Sequence, residues 1–82
     1  MEVFVVYKQY SNWEDNNGTD ILGVFSKFEN AEKKMQKEYE REMDFIKCEE
    51  IKIKNMSLCK NFVSIKTEYG DVDIFVKSKE VE

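Results

Sequence analysis

The side chains that most often carry out chemistry in proteins are scarce in this sequence of 82 residues. It contains no histidine, so the usual general base, the usual zinc ligand and the central member of a catalytic triad are missing. The two cysteines, Cys48 and Cys59, have neither a CxxC spacing nor a histidine to activate them. We therefore expect two reduced thiols that act as small buried hydrophobic side chains rather than a disulfide.

One acidic stretch, residues 15–20, has a faint likeness to a calcium loop. Counted from Asp15, the sixth position holds Asp20 instead of glycine and the twelfth holds Ser26 instead of glutamate. The three glycines match no nucleotide-binding fingerprint. Paired carboxylates such as Glu49 and Glu50 are typical of solvated charge. The sequence therefore predicts a protein that is not an enzyme, with no metal site and no cofactor.

Charged residues of both signs are interspersed and leave a net charge of only −4. Binding to a nucleic-acid backbone requires clustered Lys and Arg, so direct binding to nucleic acid is disfavoured, as is a membrane surface. Glu2 stands where a signal peptide has a cation, and no apolar run approaches transmembrane length. We expect a single domain over residues 1–82, located in the cytoplasm of a bacterial host cell.

Two polar segments are candidates for binding a partner protein. Trp13 lies in a polar loop over residues 11–20 and either covers the sheet edge or anchors a partner, because Trp is enriched at interface hot spots. The end of the predicted helix carries acids where the helix dipole prefers cations, so its last turn frays or faces a basic partner. The predicted partner-binding residues are Trp13, Glu14, Asp15, Asp20, Glu38, Glu40, Glu42 and Asp44.

The periodicity predicts an α+β domain, with a single helix packed on one face of a mostly antiparallel sheet of four or five strands in the order ββαβββ. Strands are predicted at residues 2–10, 21–25, 49–55, 61–68 and 71–78. The helix is predicted over residues 27–44 and is capped by Ser26 and Glu29. Gly23 predicts a bulge or a close approach, and Gly70 a tight hairpin turn.

A single helix covers only one face of a sheet, yet the predicted strands are apolar on both faces. Val63 and Ile65 share the predicted core face with three residues of the last strand, Val72, Ile74 and Val76. The other face is predicted to hold Phe4, Val6, Leu22, Val24, Phe62 and Phe75. Contiguous exposed apolar surface usually marks an interface. We therefore expect Phe4, Val6, Phe62 and Phe75 to form a homodimer or partner surface.

The N-terminal half resembles a group of small uncharacterised bacterial and phage proteins. The resemblance spans residues 3–35 and is carried by Val3-Phe4-Val5-Val6-Tyr7, Ile21-Leu22-Gly23-Val24-Phe25-Ser26 and Glu29-Asn30-Ala31-Glu32. These proteins share a strand, a loop with acids, a Gly-(Val/Ile)-(Phe/Tyr)-Ser turn and an alanine-containing helix start. The resemblance implies no catalytic residues.

The first functional hypothesis is a small acidic protein-binding module from a phage or mobile element that inhibits a host defence protein, as anti-CRISPR proteins do. Its partner would be a nucleic-acid-binding effector whose basic surface accepts the carboxylates. The alternatives are a homodimeric regulatory or structural module, and a small-molecule sensor. A sensor would hold its ligand between helix and sheet, in an apolar pocket lined by Met35 and Tyr39.

Overall fold

Five strands and one helix make up the part of the chain that the structure describes. The computed structural model describes residues 1–13 and 16–81, and the side chains of all of these except residues 12, 13 and 16. In chain order the elements are β1 (Glu2–Trp13), β2 (Asn16–Phe25), α1 (Phe28–Cys48), β3 (Ile53–Cys59), β4 (Phe62–Thr67) and β5 (Asp71–Glu80).

All five strands belong to one sheet with the spatial order β2-β1-β5-β4-β3, in which every neighbouring pair is antiparallel. The predicted fold class, a mostly antiparallel sheet of four or five strands, is wrong and is corrected to a five-stranded sheet that is antiparallel throughout. The periodicity of a sequence identifies strands, but it does not say which strand lies beside β1 or in which direction that strand runs. The last strand, β5, fills that place between β1 and β4.

The polar segment predicted as a loop is largely strand. Across the β1–β2 ladder Lys8 faces Asp20, and Tyr10 faces Gly18. A Cβ atom at Gly18 would lie 3.0 Å from the Tyr10 ring, so glycine leaves room for that ring. Ladder hydrogen bonds join backbone groups and do not depend on apolar side chains. The hairpin therefore continues well beyond the predicted strand ends.

The prediction for Gly23 is confirmed. The β1–β2 register shifts between Val6, which faces Gly23, and Tyr7, which faces Ile21, so Leu22 is the extra residue of a bulge. A Cβ atom at Gly23 would also lie 2.8 Å from the Phe25 ring. The bulge changes which residues of β2 share a face with those of β1, and this matters for the surface described below.

The helix begins later than the predicted capping box requires. Its N-cap residue is Lys27, with no side-chain capping hydrogen bond, so the predicted cap by Ser26 and Glu29 is wrong. Phe28, the first helical residue, packs its ring edge-to-face against Phe4 of β1, with the ring centroids 5.6 Å apart. This contact ties the first turn of α1 to the sheet in place of a hydroxyl cap.

The helix ends later than predicted, in a Schellman motif. The Ile51 amide donates to the Ile46 carbonyl at 3.0 Å, and the Glu50 amide donates to the Lys47 carbonyl at 3.2 Å. Glu50 adopts the left-handed conformation that this motif requires, with φ 55°. Ile51 packs against the core cluster that contains Ile46. Ile51 therefore terminates the helix instead of starting a strand, which explains why β3 begins only at Ile53.

Replacing Glu50 with glycine is expected to raise the free energy of unfolding by about 0.5–1 kcal/mol. A left-handed conformation strains an L-residue, and this gain exceeds the extra entropy that glycine gives the unfolded chain. Urea denaturation followed by circular dichroism measures the change. The matched control is Glu49→Gly, at φ −89°, which should lower stability because no strain is relieved there. Equal losses from both substitutions would contradict the strain at Glu50.

The core lies between α1 and the strands β1, β4 and β5. It consists of Val6, Ala31, Met35, Ile46, Val63, Ile65, Val72, Ile74 and Val76, all buried. The predicted hairpin between β4 and β5 is confirmed, since Val63 faces Ile74 and Ile65 faces Val72. Gly70 in its turn has φ 155°, and the Thr67 hydroxyl donates to the Gly70 carbonyl at 2.7 Å.

Three residues predicted for the helix-free face lie on the helix side instead. Val6 is fully buried in the core, while Phe4 and Leu22 pack against that core. Both alternating sets of β1 are apolar, so the alternation alone could not decide which set faces the helix. Of the four residues predicted to form a dimer or partner surface, only Phe62 and Phe75 lie on the helix-free face.

Candidate functional site

One row of residues crosses the whole sheet on the side away from the helix. It runs through directly paired positions on every strand, in the order Ile21, Tyr7, Phe75, Phe62 and Cys59. Residues directly opposite each other in an antiparallel pair share a face, and successive residues alternate between faces. Each member of this row is adjacent in sequence to a residue on the helix side, as Phe75 is to the buried Ile74. We call these five residues the transverse row.

The transverse row is aromatic at its centre and exposed towards its edges. The rings of Tyr7 and Phe75 stack with centroids 5.3 Å apart and an interplanar angle of 22°. Ile21 is 64% exposed and Phe62 is 37% exposed, and Val24, on the same face of β2, is 60% exposed. These side chains present apolar surface on the side of the sheet away from the helix, and large exposed apolar patches are typical of interaction sites.

Two lysines border the transverse row on one side. The Lys77 ammonium lies 5.5 Å from the centroid of the Phe75 ring, and the Lys79 ammonium lies 5.9 Å from that of Tyr7. Both arrangements are cation–π contacts. Val5, which faces Lys77 across the ladder, is only 5% exposed although no helix covers it. The aliphatic stems of these lysines therefore cover apolar surface while their charges stay in water.

Polar residues border the transverse row on its other side. Asp73 faces both Gln9 and Ser64, and Asp71 faces Lys66. Along β5 the helix-free face thus changes from acidic, through the aromatic ring of Phe75, to basic.

A separate charged cluster lies on the helix side, where Glu38 is buried with its side chain 7% exposed. Its carboxylate is 3.1 Å from Arg41, 3.4 Å from Lys34 and 3.8 Å from Lys8. Lys8 also pairs with Glu42. Two of the acids predicted to bind a partner therefore make ion pairs within the chain, and the acidic end of the helix is explained by Lys8 of the adjoining strand.

An open cleft of about 360 Å³ adjoins this cluster. Its lining residues are Lys8, Tyr10, Glu38, Arg41, Glu42, Phe45 and Val72. The Tyr10 hydroxyl donates to the Asp20 carboxylate, and this hydrogen bond is the main reason that the pKa of Tyr10 is raised above 10.0. The cleft is not the apolar pocket predicted for a sensor, because neither Met35 nor Tyr39 lines it.

The remaining predicted site residues are not brought together. Glu40 and Asp44 are exposed on α1, and Asp20 is exposed on β2. Glu14, Asp15 and the side chain of Trp13 lie outside the described residues. Sequence reasoning missed Tyr7, Ile21, Lys77 and Lys79. The signal for the last two was available in the order of charges along residues 71–79.

The prediction of buried thiols is wrong, because Cys48 and Cys59 are both exposed. Cys48 ends the helix, and Cys59 ends the edge strand β3, where it borders an open pocket shared with Glu32, Lys33, Met35, Gln36 and Lys60. In the described part of the chain, no group of three or more His, Cys, Asp or Glu side chains is placed to hold a metal ion. Within the same residues, no helix is long and apolar enough to cross a membrane.

These features define a two-layer domain with one helix, one antiparallel sheet and an open sheet face. The chain belongs to the family described as "Domain of unknown function (DUF7336)", which matches residues 1–61. The match spans β1, β2, α1 and β3 and includes the segment that resembles small uncharacterised proteins. No curated protein and no solved structure matches the chain significantly.

Proposed function

We propose that this chain is a small protein-binding module that acts by occupying another protein surface rather than by catalysis. The observation that carries the proposal is the transverse row. Apolar side chains from β2, β1, β5 and β4 line up there, with Ile21 64% exposed, on a face that no other described element covers. Aromatic residues at the centre of a patch supply most of the binding energy in protein interfaces.

The charges on this face favour a protein over a nucleic acid. Surfaces that bind single-stranded nucleic acid combine stacked aromatic rings with a basic groove along the backbone. Here Lys77 and Lys79 border the row on one side only, and Asp71 and Asp73 border it on the other. The net charge of −4 opposes a phosphate backbone as well.

Photo-crosslinking tests the proposal at one residue on each side of the sheet. A photoreactive amino acid at Ile21, on the helix-free face, is expected to give a covalent adduct with a protein in cells of the source organism. The same amino acid at Leu58 is the matched control. Leu58 is also an exposed aliphatic residue, at 57%, but it faces Val63 on the helix side. Mass spectrometry of the purified adducts identifies the protein that is bound.

Two outcomes of that experiment decide the proposal. Adducts that form from Ile21, and that disappear when Phe75→Lys is added to a chain with an unchanged circular dichroism spectrum, support it. Equal adduct formation from Ile21 and Leu58, or no adduct from either position, contradicts it. Phe75→Lys is suited to this use because Phe75 lies outside the buried core cluster.

A narrower version of the proposal makes the chain an inhibitor of a host defence protein, encoded by a phage or mobile element and acting in the bacterial cytoplasm as anti-CRISPR proteins do. The exposed acids Asp20, Glu40 and Asp44 support it, because their carboxylates lie at the surface, where they can meet a basic effector surface. Glu38 and Glu42 give it no support, since Lys8 already forms ion pairs with both carboxylates. An adduct with a nucleic-acid-guided nuclease would support this version, and unrelated adducts would leave only the general proposal.

A further inference from the structure

The charges along β5 are arranged symmetrically about one residue. On the helix-free face this strand presents Asp71, Asp73, Phe75, Lys77 and Lys79 in that order. Residues two apart on a strand are separated by about 6.8 Å. The Cα positions of the acids and of the lysines therefore lie at matching distances on opposite sides of Phe75, and the lysine side chains, whose ammonium groups lie over the Phe75 and Tyr7 rings, would turn outwards to meet a partner. A surface with this order is complementary to itself when it is turned end for end.

We propose that the helix-free face binds a second copy of this chain, with a two-fold axis that crosses the strands at Phe75. The inference rests on the proposed function and names the partner of that surface. The rotation reverses the direction of β5, so Lys77 of one copy meets Asp73 of the other, and Lys79 meets Asp71. An isologous contact of this kind uses the same patch on both copies.

The alternative two-fold axis, parallel to the strands, is disfavoured by the same charges. A rotation about that axis would place each end of β5 opposite the same end of β5 in the second copy. Lysine would then face lysine, and aspartate would face aspartate. Like charges facing each other across an interface are destabilising. The order of charges along β5 therefore selects one orientation of the two copies.

The transverse row lies along the selected axis, so each of its residues faces the same residue of the second copy. The Phe75 and Tyr7 rings of the two copies meet at the centre. Ile21 meets Ile21 at one edge of the sheet. Sheets that pack face to face lie about 10 Å apart with strands inclined by about 30°.

The size of the face is adequate for a specific dimer. Five strands about 4.8 Å apart, each contributing some seven residues, give a face of roughly 600 Å² per copy. Two copies then bury about 1,200 Å², which is at the lower end of specific protein interfaces.

Lys66 of β4 faces Asp71 of β5 and adds a positive charge at the acidic end of the face. The pair formed by Asp73 and Lys77 is therefore better matched in charge than the pair formed by Asp71 and Lys79.

Charge exchange tests the proposal directly. The wild-type chain is expected to be a dimer, so its mass measured by sedimentation equilibrium should be twice that of the monomer. On the helix-free face of β5, Asp71→Lys/Asp73→Lys leaves only basic charges, and Lys77→Asp/Lys79→Asp leaves only acidic charges. Each variant alone should dissociate at least about tenfold more readily, because like charges then face each other. An equimolar mixture of the two should restore the dimer as a heterodimer, which a misfolded variant could not do.

Three results would overturn the second copy as the occupant. The first is a wild-type chain that remains monomeric at about 1 mM, where even a weak dimer forms. The second is a mixture of the two charge variants that forms no heterodimer. The third is an oligonucleotide that binds this face in the absence of any dimer. If the chain is monomeric but Ile21 crosslinks to another protein, the protein-binding function stands and only the second copy is lost.

Discussion

Replacing Ile74 with alanine is expected to lower the free energy of unfolding by about 3–4 kcal/mol. Ile74 is fully buried on the central strand β5, and Val63 of β4 lies directly opposite. Removing a buried isoleucine side chain costs its transfer free energy and leaves a cavity that the surroundings only partly fill. A loss of this size is a large part of the stability of a small domain. Urea denaturation at a fixed protein concentration measures it.

Leu58→Ala is the matched control for this prediction. It also removes a branched aliphatic side chain, but Leu58 is 57% exposed on the edge strand β3, so the expected loss is below about 0.5 kcal/mol. Similar losses for the two variants would show that the core is not centred on β5. The comparison also separates stability from binding, since both side chains point away from the helix-free face.

The hairpin of β4 and β5 could be predicted because its signals are local. Gly70 supplies the turn, and the strict alternation around it assigns Val63, Ile65, Val72 and Ile74 to one face. Local turn chemistry and a period of two fix the register of such a pair without reference to the rest of the chain.

The faces of β1 could not be predicted, because both alternating sets of its first residues are apolar. The orientation is visible only in contacts with distant elements, such as those of Lys8, which shares a face with Val6 and meets Glu38 and Glu42 of the helix. The contact with Glu42 joins residues more than 30 positions apart, so no local pattern reveals it. Phe4 and Val6 are therefore assigned to the wrong face.

The predicted start of β3 is wrong for a different reason. Ile51 and Ile53 alternate with lysines as in a strand, yet the Ile51 amide bonds back to Ile46 and closes the helix. A Schellman motif also places an apolar residue just beyond the helix end, so the same residue satisfies both patterns. The left-handed residue is usually glycine, and here it is Glu50, which removes the clearest signal of the motif.

The candidate surface could be predicted only in part, because some of its residues are paired within a local hairpin and others are paired with distant strands. The alternation within their own hairpin places Phe62 and Phe75 on the helix-free face. Tyr7 joins them only because β5 lies beside β1, where Tyr7 faces Phe75. The transverse row depends on the order of the strands in the sheet, which sequence patterns do not specify. The order of charges along β5 is visible in the sequence, but the sequence does not show which other residues share the face that carries them.

Replacing Lys8 with methionine is expected to lower the free energy of unfolding by about 2–3 kcal/mol and to leave self-association unchanged. The Lys8 side chain is 16% exposed and pairs with Glu42, which is 15% exposed. Removing one partner of a largely buried pair leaves the other charge poorly solvated, which costs more than the pair itself contributes. Glu38 retains Lys34 and Arg41, so the loss arises mainly from Glu42.

The double variant Lys8→Met/Glu42→Leu distinguishes this mechanism from a simple loss of packing. Exchanging both charges for apolar side chains of similar size is close to neutral for buried pairs, so the double variant should recover most of the lost stability. Lys37→Met, on the exposed side of α1, is the matched control and should change stability by less than about 0.5 kcal/mol. If the double variant is less stable than Lys8→Met alone, Glu42 stabilises the fold by contacts other than this ion pair. Sedimentation of all three variants should match the wild type, because Lys8 lies on the helix side of the sheet and the transverse row lies on the other.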